Sequence, residues 1–273
     1  AVTGTLAATA TTGGITDSSN LSASGNVTLN DVATAGITLG TLEADANVIL
    51  TAAGNTAITN DAALALQGTV TGTLDATATT GDITDSDALA VSGTSVFTLG
   101  ADGTNITLDS AANAFSGAVT LKAGSSGGQT FGNIVFVDSG AIDFDSAASA
   151  DGDLFLDGGT DNTVGGTLAI TATTGGITDS ATIAVTGDLT LNDVATAGIT
   201  LDTLEADANV ILTAAGNTAI TNDAALALQG AVTGTLAATA STGGITDSSN
   251  LSATGNVTLN DVATAGITLD TLE

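Results

Sequence analysis

The fold of this chain is decided by residues 21–62, which read LSASGNVTLNDVATAGITLGT (21–41) and LEADANVILTAAGNTAITNDA (42–62). Each half begins with an aliphatic residue, has a Val-x-Leu centre and carries an Ile-Thr pair near its end. Apolar and polar residues alternate in three short runs, which is the period-two pattern of strands. Gly, Asn, Asp, Ser and Thr separate the runs and favour turns. Three strands and three turns in each half predict one coil of a parallel β-helix.

The same pattern recurs along the whole chain. Residues 1–68 return with few changes as 163–230, and residues 231–273 begin a partial third copy. A longer third sub-unit, 63–88, completes the repeat block. We therefore predict an all-β fold: a single continuous right-handed parallel β-helix (β-solenoid) over 1–273, with about 12 coils of roughly 21–26 positions each and three short strands per coil.

The stacking of the coils is predicted from recurring residues. An Ile-Thr pair occurs near the end of a sub-unit ten times along the chain. Successive pairs are 21 to 25 positions apart, with one exception of 71 positions. We expect Ile37 to stack on Ile58 and Ile83, and Val27 and Leu29 to stack on Val48 and Leu50. The long spacing marks irregular, Phe-containing coils at about 89–162.

Composition excludes several classes of function. The chain has no His, Cys, Pro, Met, Trp or Tyr, so most tools of catalysis and metal binding are missing, and we expect no enzyme. Its 29 acidic residues face a single lysine, Lys122, for a net charge of −28, which makes nucleic acid an unsuitable partner. No apolar run approaches the ~20 residues of a membrane span. Because the sequence starts without Met and stops inside a repeat, we expect it to be part of a longer chain.

The segments GDITDSDALAVSGTSVFTLGADGTNITLDSAANAFSGAVTL (81–121) and GGITDSATIAVTGDLTLND (175–193) resemble the tandem repeats of filamentous-haemagglutinin-like exoproteins. That family comprises giant repetitive bacterial surface proteins and adhesins, many of them exported by two-partner secretion. The resemblance implies a β-helical shaft, an extracellular location at a bacterial cell surface, and a structural or adhesive role in attachment. The partners that we expect are other copies of the chain, associated laterally or end to end through the open sheet edges, and surface or matrix glycans.

The irregular segment is the candidate for a more specific role. Five of the six Phe residues, together with Lys122, lie within about 112–162. They form either an interaction patch of a binding module or an internal aromatic stack that fills a wider coil. The residues of the candidate patch are Phe115, Lys122, Phe131, Phe136, Phe144 and Phe155.

The acidic turn DGDLFLDGGTDN (151–162) offers the candidate metal ligands Asp151, Asp153, Asp157 and Asp161. Hard cations such as Ca²⁺ want several oxygen ligands close together. The alternative is that these carboxylates are solvated turn residues and that no cofactor binds, because the nonapeptide of calcium-binding β-rolls is absent.

Two further alternatives are less well supported by the residues. A polysaccharide-cleaving β-helix needs two carboxylates in a cleft with sugar-binding groups, and the aromatic and basic residues of such a cleft are missing. An ice-binding surface would use the Ile-Thr column, but the residue two positions after the Thr varies. The main hypothesis is therefore an extracellular structural or adhesive fibre protein.

Overall fold

A computed structural model describes residues 1–124, 129–158 and 162–273 of the chain. These residues contain no helix, and their parallel strands stack into a β-solenoid of about 12 turns, which confirms the predicted fold class. In chain order the strands are β1 (Leu6–Ala10), β2 (Ile15–Thr16), β3 (Leu21–Ala23), β4 (Val27–Asp31), β5 (Ile37–Ala44), β6 (Val48–Ala52), β7 (Thr56–Asn60), β8 (Leu64–Val70), β9 (Leu74–Ala78), β10 (Ile83–Val91), β11 (Ser95–Leu99), β12 (Ile106–Leu108), β13 (Ala114–Phe115), β14 (Val119–Ala123), β15 (Ile134–Asp138), β16 (Ile142–Phe144), β17 (Asp153–Asp157), β18 (Thr163–Val164), β19 (Leu168–Ala172), β20 (Ile177–Asp179), β21 (Ile183–Val185), β22 (Leu189–Asp193), β23 (Ile199–Ala206), β24 (Asn209–Ala214), β25 (Thr218–Asn222), β26 (Leu226–Val232), β27 (Leu236–Ala240), β28 (Ile245–Ala253), β29 (Val257–Asp261) and β30 (Ile267–Thr268).

Each coil visits three sides in a fixed order. Side 1 stacks β1 under β4 and β6, with Val27 on Val48 and Leu29 on Leu50 as predicted. Side 2 follows it and stacks β2, β5, β7, β9 and β11. Side 3 comes next. In the first coils it consists of β3 and the second half of β5, and in later coils of the stacked strands β12, β15 and β19. Strands that run across a corner, such as β5, β8 and β10, join these sides into two continuous sheets.

Alternation along each strand creates a thin, closed core. Val27, Leu29, Val48 and Leu50 point inward and are at most 1% exposed, whereas Thr28 between them is exposed. Backbone groups of each coil bond to the next coil; for example, the amide of Leu6 donates to the carbonyl of Asn26 at 2.9 Å. Side-chain burial and the inter-coil ladder therefore stabilise the same stack.

Coil length varies more than the sequence predicted. Val48 stacks on Leu66, only 18 positions later, because β8 runs across a corner from side 3 to side 1 without a separate turn. Ile134 stacks on Leu168, 34 positions later. As a result the Ile-Thr pairs do not form one column, and the predicted stacking of Ile37 on Ile58 and Ile83 is wrong. Ile37 stacks on Thr56, whereas Ile58 stacks on Leu39.

The 68-residue repeat advances by three coils and one further side. The strand that opens each unit, read as LAATA or a close variant, lies on side 1 at Leu6, on side 2 at Leu74 and on side 3 at Leu168. Leu236 opens the next unit on the side visited after side 3. Successive units are therefore rotated about the solenoid axis by one side each.

The irregular segment advances by the same amount as a regular repeat unit, three coils and one further side. Between Leu74 and Leu168 the chain again covers ten sides, with its additional residues placed in the connections from β14 to β15, β16 to β17 and β17 to β18. The stacking order is inverted once there: β17 lies between β14 and β16, so the earlier strand β16 sits one level higher. The segment is thus a repeat unit with enlarged corners.

Candidate interaction surfaces

The phenylalanines of the irregular segment mostly lie inside the solenoid. Phe115, Phe131, Phe136 and Phe144 are at most 3% exposed, as is the neighbouring Phe97. The Phe97 and Phe115 rings meet edge to face with centroids 5.9 Å apart, and the Phe115 and Phe136 rings stack at 5.3 Å. These five rings fill the core of the widened coils, where they are not accessible to a partner.

Phe155 and Lys122 are the members of the predicted patch that reach the surface. Phe155 points outward from β17, opposite Thr120 of the coil below, and is partly exposed. The Lys122 ammonium contacts the Asp157 carboxylate at 2.9 Å, with both side chains about one-third exposed or more. A pair this exposed contributes at most ~1 kcal/mol, so it orients the two side chains more than it stabilises the fold.

The four metal candidates are not brought together. Asp151 is exposed, and Asp157 is held by Lys122. The buried Asp153 carboxylate accepts hydrogen bonds from the amides of Ser149 and Ala150 and so closes its own turn. Asp161 lies outside the described residues. Within the parts of the chain that the structure describes, no group of three or more acidic side chains is placed to hold a metal ion.

A buried polar side chain closes one corner of each repeat unit. Asn60, fully buried, accepts from the amide of Ala44 at 2.8 Å and donates to the carbonyls of Ala44 and Ala63. Asn222 makes the same three bonds one copy later. The side chain takes the place of a neighbouring strand at Ala44, because it pairs with backbone groups that would otherwise be left unsatisfied. This role was not predicted from the sequence.

Asp138 occupies the corresponding corner of the irregular unit. It ends β15 as Asn60 ends β7, and its carboxylate accepts from the amides of Phe115 and Ser139 at 2.9 and 2.7 Å. Burial raises the pKa of this carboxyl above its ordinary value, and the charge of Asp151 adds to the effect, while hydrogen bonds from the backbone amides of Phe115, Ser139 and Gly140 oppose it. A carboxylate in this corner is therefore less favourable than an amide.

The Asp of each Ile-Thr-Asp sequence links one coil to the next on the outside. The Asp17 carboxylate accepts from the amides of Gly40 and Thr41 at 3.0 and 2.8 Å. Burial acts to raise the pKa of Asp17, but these amide hydrogen bonds outweigh it and the pKa is lowered. The same link is made at Asp247, where the amide of Asp270 is the largest cause of a lowered pKa. The recurrence of ITD at 15–17, 83–85, 177–179 and 245–247 was the signal for it.

A pair of shallow grooves recurs beside the corners closed by Asn60 and Asn222. In the first copy the groove contains Glu43, Asp61 and hydroxyls such as that of Thr41. Its twin, 162 positions later, contains Glu205 and Asp223. Both grooves carry carboxylates and hydroxyls and lack any basic group, so they repel anionic partners.

Two uncharged strips run along the outside of the solenoid. They are equivalent positions of two repeat copies and consist of the outward side chains of four successive strands. The side-1 strip, on β1, β4, β6 and β8, contains Ala7, Thr9, Thr28, Asn30, Ile49, Thr51, Gln67 and Thr69. The side-3 strip, on β19, β22, β24 and β26, contains Ala169, Thr171, Thr190, Asn192, Ile211, Thr213, Gln229 and Ala231.

The side-3 strip continues downwards by one coil without a charge. Val135 stacks beneath Ala169 and Val137 beneath Thr171, so that five coils from β15 to β26 present only uncharged side chains on this side. The two coils below continue the line with Thr107 and Thr84 but add the carboxylates of Asp109 and Asp85. The carboxylates of the five uncharged coils lie at the corners, as at Asp188 and Asp207. The arrangement gives a flat, uncharged face on a molecule whose net charge is −28.

Within the described residues no helix is long and apolar enough to cross a membrane. No curated protein and no solved structure matches the chain. One family of sequences does match, over residues 53–122, 132–214 and 215–272, which is well over half of the chain. The match extends through regular and irregular units alike. The chain therefore belongs to the family described as Repeats of unknown function (DUF5649).

Proposed function

We propose that this chain is a non-catalytic structural element: the shaft of an extracellular bacterial surface fibre that serves attachment. The observation that carries the proposal is the continuity of the stack. The backbone ladder and the core run from β1 to β30 across about 12 turns, with the irregular unit built into the same spiral. At the strand spacing of ~4.8 Å, this amounts to a rod of ~58 Å per 273 residues.

Durability follows from the same construction. Side chains at the core of every inner coil are close to fully buried, and their amides donate to the neighbouring coil, which leaves few local openings for proteases. The resemblance of residues 81–121 and 175–193 to filamentous-haemagglutinin-like repeats supports a location outside the cell.

The location is tested on intact cells that produce the native protein. Antibodies raised against residues 1–273 should label unpermeabilised cells, and protease added outside should remove the label. Labelling that appears only after permeabilisation would contradict an extracellular role. The shaft geometry is tested by cryo-electron microscopy, which should show a rod that lengthens by ~4.8 Å per coil.

A second candidate, a binding module, is favoured by the outward placement of Phe155 beside Lys122. A partly exposed aromatic ring next to a cation and a carboxylate is suited to the face and hydroxyls of a sugar. A glycan array should show binding that is lost in the double variant Phe155→Ala/Lys122→Ala and kept in the control Thr38→Ala. Titration with CaCl₂ tests the calcium alternative. An array without binding above background would contradict the module.

A further inference from the structure

The uncharged strips are unusual for this molecule because its charge density is high. Twenty-eight net negative charges over ~58 Å amount to about one charge per 2 Å, close to that of duplex DNA. Two such rods repel each other at long range. On side 3, however, five consecutive coils present only uncharged residues such as Thr190, Ile211 and Thr213. Close approach of two copies is therefore least unfavourable where strip faces strip.

The short side chains also permit close contact. Ala, Thr, Val and Ile extend little from the strand, and the strands are stacked in register, so the strip is flat over its length. The flanking carboxylates lie at the corners of the coil. In 0.15 M salt the Debye length is ~8 Å, and in 1 M salt it is ~3 Å, so added salt screens the corner charges of two facing copies.

The two strips face different directions. Because each repeat unit advances by one side, the strip of the first copy lies on side 1 and that of the equivalent unit on side 3. A partner bound to one strip therefore leaves the other strip free.

We propose that copies of this chain associate laterally, strip against strip, and that strips on different sides join each copy to more than one neighbour. The inference rests on the proposed role as a shaft and names its partner as a second copy of the same chain. With two strips on different sides, lateral contact joins the rods into unbranched chains that turn at each copy, since a flat ribbon would need strips on opposite faces.

The size of the strip predicts weak contacts. Five coils at ~4.8 Å and a width of about 13 Å give ~310 Å² per copy, or roughly 620 Å² for the pair. Stable complexes usually bury about 1,200–2,000 Å². One strip pair is therefore expected to dissociate at micromolar concentration, and association becomes strong only when several pairs act together.

The test is static light scattering of purified chain, up to ~1 mM, in 10 mM, 150 mM and 1 M NaCl with EDTA present throughout. The weight-average mass should exceed twice the monomer mass at high concentration in 1 M NaCl and fall to the monomer value in 10 mM NaCl. The variant Thr171→Glu/Thr213→Glu adds two carboxylates to the side-3 strip. Because only the side-1 strip remains, its mass should not exceed twice that of the monomer.

The matched control, Thr38→Glu/Thr77→Glu, adds the same charge to side 2 and should associate like the unmodified chain. Circular dichroism checks the fold of each variant, and Ile211→Glu serves as a second strip variant if the double variant fails to fold. A chain that stays monomeric in 1 M NaCl would overturn the proposal. So would equal loss of association in the strip and control variants, or association that low salt strengthens. None of these outcomes would affect the cell-surface labelling that tests the shaft itself.

Discussion

Replacing Asn60 by leucine should open the solenoid locally. The substitution keeps the side-chain volume roughly constant but removes an acceptor for the Ala44 amide and a donor to the carbonyls of Ala44 and Ala63. Asn60 is fully buried, so water cannot replace these bonds. The second copy, with Asn222 in the same environment, stays intact in the variant and serves as an internal reference.

The magnitude follows from the unpaired groups. A buried polar group left without a partner costs about 1–3 kcal/mol. With two or three such groups, and some gain from the added apolar surface, we expect a loss of about 3 kcal/mol in the local free energy of opening. Every 1.4 kcal/mol is a factor of about ten, so amide exchange in the coil should become faster by a factor on the order of 10².

Hydrogen exchange with mass spectrometry can separate the two copies. The peptide Ile37–Leu50 contains Ala44, and its counterpart Ile199–Leu212 differs from it in mass because Asp202 replaces Gly40. Only the first peptide should exchange faster in the variant. Asn55→Leu, at an exposed position with one hydrogen bond to the amide of Thr73, is the matched control and should change exchange little. Equal exchange of the two peptides in Asn60→Leu, within a factor of two, would refute the corner-closing role.

Three further predictions concern single positions. Gly68→Ala should destabilise the fold by at least ~2 kcal/mol, because Gly68 has a φ of +112° and an added Cβ would collide with a carbonyl oxygen of the coil below. The control Gly40→Ala, at a position with open space around it, should leave the thermal unfolding midpoint unchanged. Asp138→Asn should raise stability at pH 7 by on the order of 1 kcal/mol, because the pKa of the Asp138 carboxyl is raised in the folded state and its charge destabilises the fold above that pKa. The gain should vanish as the pH falls towards the pKa of the unfolded state, and an unchanged gain at low pH would contradict this. Asp17→Asn should do the opposite, with a loss under ~1 kcal/mol that is present at pH 7 and disappears as the pH falls through the lowered folded pKa, measured by thermal midpoints from pH 2 to 7.

The sequence was sufficient for the architecture. Alternation over three to five residues, broken by turn residues, predicts short strands and inward side chains correctly, as at Val27 and Leu29. The number of coils was also predicted, because the Ile-Thr pairs count them. These features are local, and local patterns are what a single sequence records.

The placement of strands on sides could not be predicted. Whether β8 spans one side or two depends on how its residues pack against β6 and β10 from adjacent coils, which no local pattern encodes. The same Ile-Thr motif therefore lies on side 2 at Ile37 and on side 3 at Ile83. Likewise, a period of two identifies Phe136 as inward only if the register is known, so the choice between aromatic patch and aromatic core had to be left open.

The advance of one side per repeat unit links copy number to direction. If one unit is gained or lost by duplication or deletion, everything that follows along the rod is turned by about a third of a revolution, while the coils themselves are undisturbed. Three additional units return the segment that follows to its original orientation about the solenoid axis. Changes in repeat number in a protein of this kind therefore alter the orientation of the distal segment as well as the length of the rod. The distal segment is re-oriented without any change in its own residues.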